Sequence, residues 1–364
     1  MMLDHNEILA KLREVRDPKT GKDIIDAKLV EDFSVNGNEV RFSIVLPTND
    51  SALKSQLNFL CIEKIQEIYP DAQVHIHSKS KLSGNDEALS ALPQVKNVIA
   101  VGSGKGGVGK STVAVNLAIA LKNMGARVGL IDADLYGPSV PTMLGLQGTR
   151  PKVEILYGKH KIVPVDYNGL PVISIGFIVE PEQAIVLRGP RLAGIIKQFI
   201  NECLWPELDY LIIDLPPGTG DVQLTLVQSI PITGAVMVTT PQKVAVIDAV
   251  KAMNMFLLPN VNVPIVGVVE NMSWFTPLEL PENKYYLFGE GGGKSLAKQG
   301  NTVLLGQIPL VQGVREGGDS GTPIAAQSDH PVKEIFDKIA QNLVRQVYIR
   351  NETLEPTRVI KLEN

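Results

Sequence analysis

Cysteine is nearly absent: Cys61 and Cys203 are the only two in 364 residues. Two thiols are too few for a disulfide framework, and they stand in no metal-ligand spacing. A dominant charge is lacking as well, because 35 Lys and Arg face 39 Asp and Glu for a net charge of −4. That balance gives no overall electrostatic case for a nucleic-acid partner or an anionic membrane surface. No uninterrupted apolar run is long enough to span a bilayer. The opening Met1-Met2-Leu3-Asp4-His5-Asn6 has neither the basic region nor the apolar core of a secretion signal. No internal repeat is visible. The expectation is a cytoplasmic protein of two domains, with 44% hydrophobic residues to build a sizeable core.

What is present is concentrated in Val101-Gly102-Ser103-Gly104-Lys105-Gly106-Gly107-Val108-Gly109-Lys110-Ser111-Thr112. The apolar run Asn97–Val101 before it reads as a buried strand, and Val113–Leu121 after it reads as a helix. Gly104, four residues, then Gly109-Lys110-Ser111 is a phosphate-binding pattern. Its glycines let backbone N–H groups curl round an anion, and the helix N-terminus adds a positive dipole. Lys110 can then reach the terminal phosphates of a nucleoside triphosphate, and the Ser111 hydroxyl can ligate magnesium. Gly102-x-Gly104-x-x-Gly107 also fits a dinucleotide fingerprint, with Asp132 at a suitable distance for a ribose hydroxyl. That rival has no use for Lys110 followed by two hydroxyls, nor for the acidic Gly/Pro turn at Asp214.

The chain divides into a small α+β domain over 1–78, a linker over 79–94, a nucleotide-binding domain over 95–350 and a tail over 351–364. In the first, Asn6–Val15 reads as a helix, Leu29–Val35 and Val40–Leu46 as a hairpin, Leu53–Ile68 as an amphipathic helix and Gln73–His77 as a short strand. Beyond Lys96, apolar strands at Val98–Val101, Val128–Ile131, Val172–Ile175, Tyr210–Ile213, Ala235–Val238, Ile265–Val269 and Val303–Leu305 alternate with helices. Those helices include Leu192–Ile200, Val222–Ser229 and Val244–Leu257. The pattern predicts an α/β fold, a P-loop NTPase whose mostly parallel sheet is covered by helices on both faces. Ligands then lie at the carboxyl ends of the strands.

Two of those strand ends are acidic. Val128–Ile131 leads into Asp132-Ala133-Asp134, whose carboxylates can hold magnesium-bound water or orient an attacking water. Leu211–Ile213 leads into Asp214-Leu215-Pro216-Pro217-Gly218-Thr219-Gly220-Asp221, with Asp214 placed to support magnesium and the turn to sense the γ-phosphate. Each of these could alternatively be an ordinary cap or turn aspartate.

These residues resemble a known group. Lys105 in Gly-Lys-Gly-Gly-Val-Gly-Lys-Ser is similar to the extra lysine of deviant Walker A ATPases, where it reaches across a homodimer to the partner's nucleotide. Asp132–Ser139, Arg188-Gly189-Pro190, Asp214–Asp221, Thr239-Thr240-Pro241-Gln242 and Glu270-Asn271-Met272-Ser273 resemble, within that group, the Mrp-type iron–sulfur cluster carriers. Residues 6–77, with Val15-x-Asp17-Pro18, resemble the small domain often fused ahead of such carriers and found alone in iron–sulfur assembly factors. The resemblance implies ATP and Mg²⁺ as ligands, with Gly104 to Thr112 (Gly104, Lys105, Gly106, Gly107, Val108, Gly109, Lys110, Ser111 and Thr112) holding the phosphates. It implies Asn271 at the adenine base, Ser111 and Asp214 at magnesium, and Lys105, Lys110, Asp134 and Asp214 in ATP hydrolysis. It also implies a homodimer that passes iron–sulfur clusters to apoprotein clients or assembly factors, with neither nucleic acid nor membrane as partner.

The usual carriers follow Asn-Met-Ser with Cys-x-x-Cys, whereas here the segment runs Trp274-Phe275-Thr276-Pro277-Leu278-Glu279-Leu280-Pro281-Glu282-Asn283. Cluster irons require thiolate or imidazole ligands, and Glu279 and Glu282 are hard oxygen donors. Asp50-Ser51-Ala52 likewise stands where the small domain often has a cysteine. Cys61 falls in the apolar pattern of a helix and Cys203 just after one, both read as small core hydrophobes. His75 and His77 read as a solvated strand face. Gly291-Gly292-Gly293-Lys294-Ser295 lacks the leading glycine spacing of a phosphate loop and reads as a loop before a helix. Arg188 is open between a dimer or switch contact and a surface residue. Val332, Ile335, Phe336, Ile339, Leu343 and Val347 mark a terminal helix whose mixed-charge polar face predicts packing on the core rather than on membrane. A partition- or positioning-type nucleotide switch without a metal cofactor is the competing reading, and it predicts ATP-dependent attachment to a surface.

Overall fold

The computed structural model describes residues 4–16, 21–27, 29–46, 51–70, 72–80, 92–135, 137–156, 158–178, 189–277, 279–328 and 330–355. Its contacts divide the chain into two units, Met1–Leu89 and Ser90–Asn364.

In the first unit α1 (His5–Leu12) is capped by Asp4, whose carboxylate accepts from the N–H groups of Asn6 and Glu7. β1 (Val30–Asn36) and β2 (Glu39–Leu46) form the expected hairpin, α2 (Ser51–Gln66) follows, and β3 (Gln73–Ser80) runs parallel to β2. Ile8 and Leu12 from α1, Phe42 and Ile44 from β2, and Leu57, Cys61 and Ile65 from α2 make its core. α1 stops at Leu12, short of the expected Val15, because Arg13 closes its last turn as the C-cap. Asp17 and Pro18 lie outside the described residues.

The second unit is built on eight strands in the order β13-β12-β11-β4-β10-β5-β9-β8. β4 (Val95–Ser103), α3 (Lys110–Asn123), β5 (Val128–Asp132) and the short α4 (Val140–Met143) come first. A separate hairpin of β6 (Lys152–Leu156) and β7 (Lys159–Val163) then leads to β8 (Val165–Tyr167), β9 (Leu170–Ser174) and α5 (Gly189–Asn201). β10 (Leu208–Asp214), α6 (Asp221–Ser229), β11 (Gly234–Thr239), α7 (Lys243–Phe256) and β12 (Ile265–Glu270) complete the middle of the sheet. α8 (Gly292–Gln299), β13 (Leu304–Gln307), α9 (Gln312–Asp319) and α10 (Pro331–Thr353) end the chain's described structure. The seven strands from β13 to β9 are parallel, and β8 adds antiparallel at the edge.

The near-continuous apolar runs arise because β5, β11 and β12 are buried along their whole length, with helices on both faces. α3 has Val113 to Leu121 buried throughout, as befits a helix enclosed between sheet and α10. Two expected strands shift at their ends. β9 closes at Ser174, whose hydroxyl caps a 3₁₀ turn beginning at Ile175, and β13 starts at Leu304. Gly291 is the left-handed cap before α8, at φ 76°, so Gly292 to Ser295 form the helix's first turn. α10 buries Val332, Phe336, Ile339, Leu343 and Val347 against α3 and β13, so this apolar stripe packs on the core, while Tyr348 and Ile349 near its end are exposed. No helix among the described residues is long and apolar enough to cross a membrane.

Candidate functional site

β4 ends in Ser103 and α3 begins at Lys110, so the glycine-rich loop between them sits at the carboxyl edge of the central strand. Gly107 and Gly109 hold φ at 81° and 83°, a backbone that side-chain-bearing residues rarely adopt. Gly109 caps α3 with no side-chain acceptor, which leaves the first N–H groups of the helix for an anion. Gly104 is needed for a different reason. A Cβ there would stand 2.1 Å from the carbonyl carbon of Asp248, so the loop can lie on α7 only with glycine at this position. Val108 is buried, and its carbonyl accepts from the Asn271 side-chain amide at 2.9 Å. Asn271 thus braces the loop from the end of β12.

Lys110 is 5% exposed, and its Nζ lies 2.6 Å from Asp214 Oδ1 and 3.2 Å from Asp134 Oδ2. It also donates to Ser111 Oγ at 3.2 Å. Burial opposes the ammonium's charge, and the carboxylates of Asp214 and Asp134 more than offset it, so the Lys110 pKa is raised. Desolvation raises Asp214 above the ordinary carboxylate range, and Lys110 works against that rise. Asp132 is its neighbour in the β5–β10 ladder and fully buried. Desolvation and the nearby Asp214 charge push it up to about 8, while Ser174 Oγ donates to it at 2.8 Å. Asp134 and Asp214 face the lysine, whereas Asp132 makes no ion pair with it, and burial and the Asp214 charge favour its protonated form.

A cavity of about 370 Å³ opens over the loop, lined by Lys105, Lys110, Ser111, Thr112, Asp134 and Pro217 among others. A second of about 310 Å³, lined by Asn271, Met272, Pro309, Leu310 and Val311, shares Gly109, Thr112, Ser139 and Met143 with it. Together they make two joined chambers: the first holds the loop and Lys110, which suit phosphates, and the second offers Asn271 and a wall of Met272, Pro309, Leu310 and Val311 beside Arg315 and Asp319, with room for a base. Asp214 Oδ2 is buried and has no hydrogen-bond partner. With the Ser111 hydroxyl beside Lys110, that free oxygen fits the all-oxygen environment that magnesium prefers.

Lys105, Gly106 and Gly107 lie on the chamber's rim, and Lys105 makes no ion pair among the described residues. Arg188 lies outside the described residues. Cys61 and Cys203 are both buried, in different units, and burial pushes each thiol up to about 12. Glu279 and Glu282 are exposed, and no group of three or more His, Cys, Asp or Glu side chains among the described residues could hold a metal. His75 is exposed, as a solvated strand face requires, and the His77 side chain lies outside the described residues. Sequence reasoning named Glu270 only within a resembling motif and gave it no contacts; it is buried at the end of β12, where it accepts from the Gly293 N–H and from Gln307. A carboxylate closing the apolar run Ile265–Val269 was its available signal. The Ser174 hydroxyl on Asp132 carried no such signal, because only sheet order brings β9 beside β5.

Fold and site together define a nucleotide-binding P-loop NTPase. The comparisons agree and narrow the class: the model of the NUBPL iron-transfer P-loop NTPase family matches residues 94–344, and that of an iron–sulfur cluster assembly protein matches residues 5–76. The chain belongs to the NUBPL iron-transfer P-loop NTPase family. It is 44% identical to the iron–sulfur cluster carrier protein of Synechocystis sp. over 95% of this chain and 98% of the relative. It is 48% identical to the carrier of the same description from Escherichia coli K12, over 75% of this chain and 74% of that one. Among solved structures, a nucleotide-binding protein in complex with ADP from Archaeoglobus fulgidus is 36% identical with a TM-score of 0.57, over 68% of this chain and 94% of that one. The cell division ATPase MinD of Pyrococcus furiosus, 23% identical with a TM-score of 0.51 over 69% of this chain and 99% of its own, shares the fold.

Proposed function

We propose that this protein is a homodimeric, cytoplasmic ATPase that carries iron–sulfur clusters to apoprotein clients or their assembly factors. The observation that carries the nucleotide part is the buried Lys110 ammonium, held by Asp134 and Asp214 beneath an uncapped helix N-terminus. Phosphate oxygens would take over the lysine's pairing, while the loop N–H groups and the α3 dipole stabilise charge developing on the leaving phosphate. Ser111 and Asp214 would hold magnesium, which when bound neutralises charge on the phosphates. Asp134, released from Lys110, would orient water, and Asn271, which lines the second chamber, would contact the base. Lys105 would act on the nucleotide of a second copy, as an arginine finger does. We assign the nucleotide work to residues 95–350 and the cluster-related small domain to 1–78, with 79–94 as linker and 351–364 as tail. The family supports the carrier reading over a surface-attaching positioning switch.

Carriage and hydrolysis are tested separately. Protein purified anaerobically, supplied with ferrous iron and sulfide, is assayed for iron and acid-labile sulfide per dimer and for ATP turnover. A stoichiometric, transferable cluster supports carriage, and its loss in Cys61→Ser or Cys203→Ser identifies the thiol exposed to hold it. Intact hydrolysis with no cluster would sink direct carriage and leave a nucleotide-driven partner of another protein's cluster. An absence of ATP turnover that Lys110→Ala does not alter would overturn the nucleotide part.

A further inference from the structure

Asp132 has no task in the nucleotide chemistry, and its surroundings deny it a direct one. It is fully buried at the carboxyl end of β5, and it lines neither chamber, whereas Asp134 lines the first. Both of its oxygens are engaged inside the protein. Oδ1 accepts from the Asp134 N–H at 3.1 Å, and Oδ2 accepts from Ser174 Oγ at 2.8 Å.

What Asp132 touches is the backbone that carries Asp134. The Ala133 N–H makes a last bond to the neighbouring strand, at the Asp214 carbonyl, 2.9 Å away. One residue on, the Asp134 N–H turns back onto the Asp132 side chain. An aspartate that accepts from the N–H two residues ahead fixes the turn between them. From that turn the Asp134 carboxylate reaches Lys110 at 3.2 Å. Asp132 is held in its own turn from β9. Ser174 is its partner in the β5–β9 register and is fully buried, and Ser174 Oγ also accepts from the Gly176 N–H at 2.9 Å. A Cβ on Gly176 would stand 3.1 Å from both Pro138 and Pro141. The same short stretch therefore backs Asp132 and the segment that leads away from Asp134.

We propose that Asp132, backed by Ser174, is a positioning residue that keeps Asp134 aimed at the attacking water once Lys110 has turned to the nucleotide. The proposal rests on the reading of Asp134 as the group that orients water. In the free protein the lysine helps to hold the Asp134 carboxylate. Phosphate oxygens draw the lysine away, but the bond from the Asp134 N–H to Asp132 does not involve it and outlasts the ion pair. Without that bond the turn is loosened at the moment its carboxylate is needed. A misplacement of about 1 Å in a positioning group can cost about a hundredfold in rate. Nucleotide binding is left alone, because the loop N–H groups and Lys110 supply it.

The test compares ATP turnover by the full chain with that of Asp132→Leu, Asp132→Asn, Asp134→Ala and the double variant Asp132→Leu with Asp134→Ala. Leucine repeats the branching of aspartate and accepts no hydrogen bond. Asp132→Leu is expected to lower kcat at least about tenfold while KM for ATP stays within about threefold. Asparagine keeps an oxygen for the Asp134 N–H and an N–H for Ser174 Oγ, so Asp132→Asn is expected to hold kcat within about threefold of the native value. The double variant is expected to be no slower than Asp134→Ala alone, because Asp132 acts through Asp134. A general loosening of the fold would add to the loss instead. Undiminished turnover in Asp134→Ala overturns the reading of Asp134 and the proposal with it. Slow turnover in Asp134→Ala overturns the proposal alone when Asp132→Leu keeps the native kcat, loses only KM, matches Asp132→Asn or slows the double variant further. Should Asp132→Leu not fold, Ser174→Ala takes its place, since it keeps the carboxyl and removes the group that holds it. It is expected to lower kcat at least about threefold at constant KM and to add nothing to Asp134→Ala, and a native kcat there overturns the proposal.

Discussion

Lys110 is the residue on which the site's electrostatics close. Removing it strands Asp214, fully buried, and Asp134, nearly so, without their cation. Breaking a buried pair from one side costs about 3–5 kcal/mol. Lys110→Ala is therefore expected to lower the melting temperature at neutral pH as well as to abolish nucleotide hydrolysis, and the lost stability should be partly regained in acid as the carboxyls protonate. Unchanged melting across that range would mean that the pair contributes nothing to the fold. Asp132 gives an independent pH signature. It keeps its proton in the folded protein up to about 8, whereas a free aspartate loses it near 3.9. Between those values the folded state binds the extra proton, so stability falls as pH rises and levels off above about 8. Asp132→Asn stays neutral throughout. Its melting temperature is expected to fall less steeply than the native protein's between pH 5 and 8, and parallel curves would show that Asp132 is ionised in the fold.

At the scale of elements, the phosphate loop is fixed by what it touches on both sides. Gly104 lies against α7, while a Cβ at Gly106 meets nothing within 4 Å. Gly104→Ala must displace the α7 backbone and is expected to cost about 1–3 kcal/mol, a typical overpacking penalty. Gly106→Ala is expected to unfold within about 0.5 kcal/mol of the native protein. Denaturant midpoints measured side by side check both, and equal midpoints would contradict the close approach. α10 makes the complementary point. Phe336 is fully buried, so Phe336→Ala is expected to destabilise by about 3–5 kcal/mol. Sedimentation with anionic vesicles should leave the native protein in the supernatant, because the stripe from Val332 to Val347 is buried and only Tyr348 and Ile349 of the helix's large apolar side chains are exposed.

For the molecule as a whole, the proposed division of labour between two copies has a direct consequence. If Lys105 serves the other copy's nucleotide, Lys105→Ala binds ATP normally but hydrolyses it at least about a hundredfold more slowly, as loss of such a finger does. Mixing Lys105→Ala with Lys110→Ala then pairs an intact Lys110 in one copy with an intact Lys105 in the other, and part of the hydrolysis returns. No recovery in a mixture shown by light scattering to contain dimers would place Lys105 in its own copy's site.

Much of this was legible in the chain. Gly104, Gly109, Lys110 and Ser111 stand close together, so one strand–loop–helix unit places them and local chemistry suffices to read it. The buried strands were legible for a related reason: a parallel sheet covered on both faces leaves no polar side to interrupt the apolar runs, and only their ends moved. Asp134 and Asp214 were recognisable as strand-end acids, but nothing local says that both close on one lysine, which follows from β5, β10 and β4 lying side by side. The same ordering pairs Asp132 with Asp214, and burial beside that charge is what pushes the Asp132 pKa up. The β6–β7 hairpin was not foreseen, since its five-residue strands mix charged and apolar side chains and neither is buried. Sequence by itself determined the chemistry available at each strand end, because that depends on residues a few positions apart. Tertiary structure decided which of those groups meet, and hence their charge states, because burial and proximity are properties of the packed sheet and not of the chain.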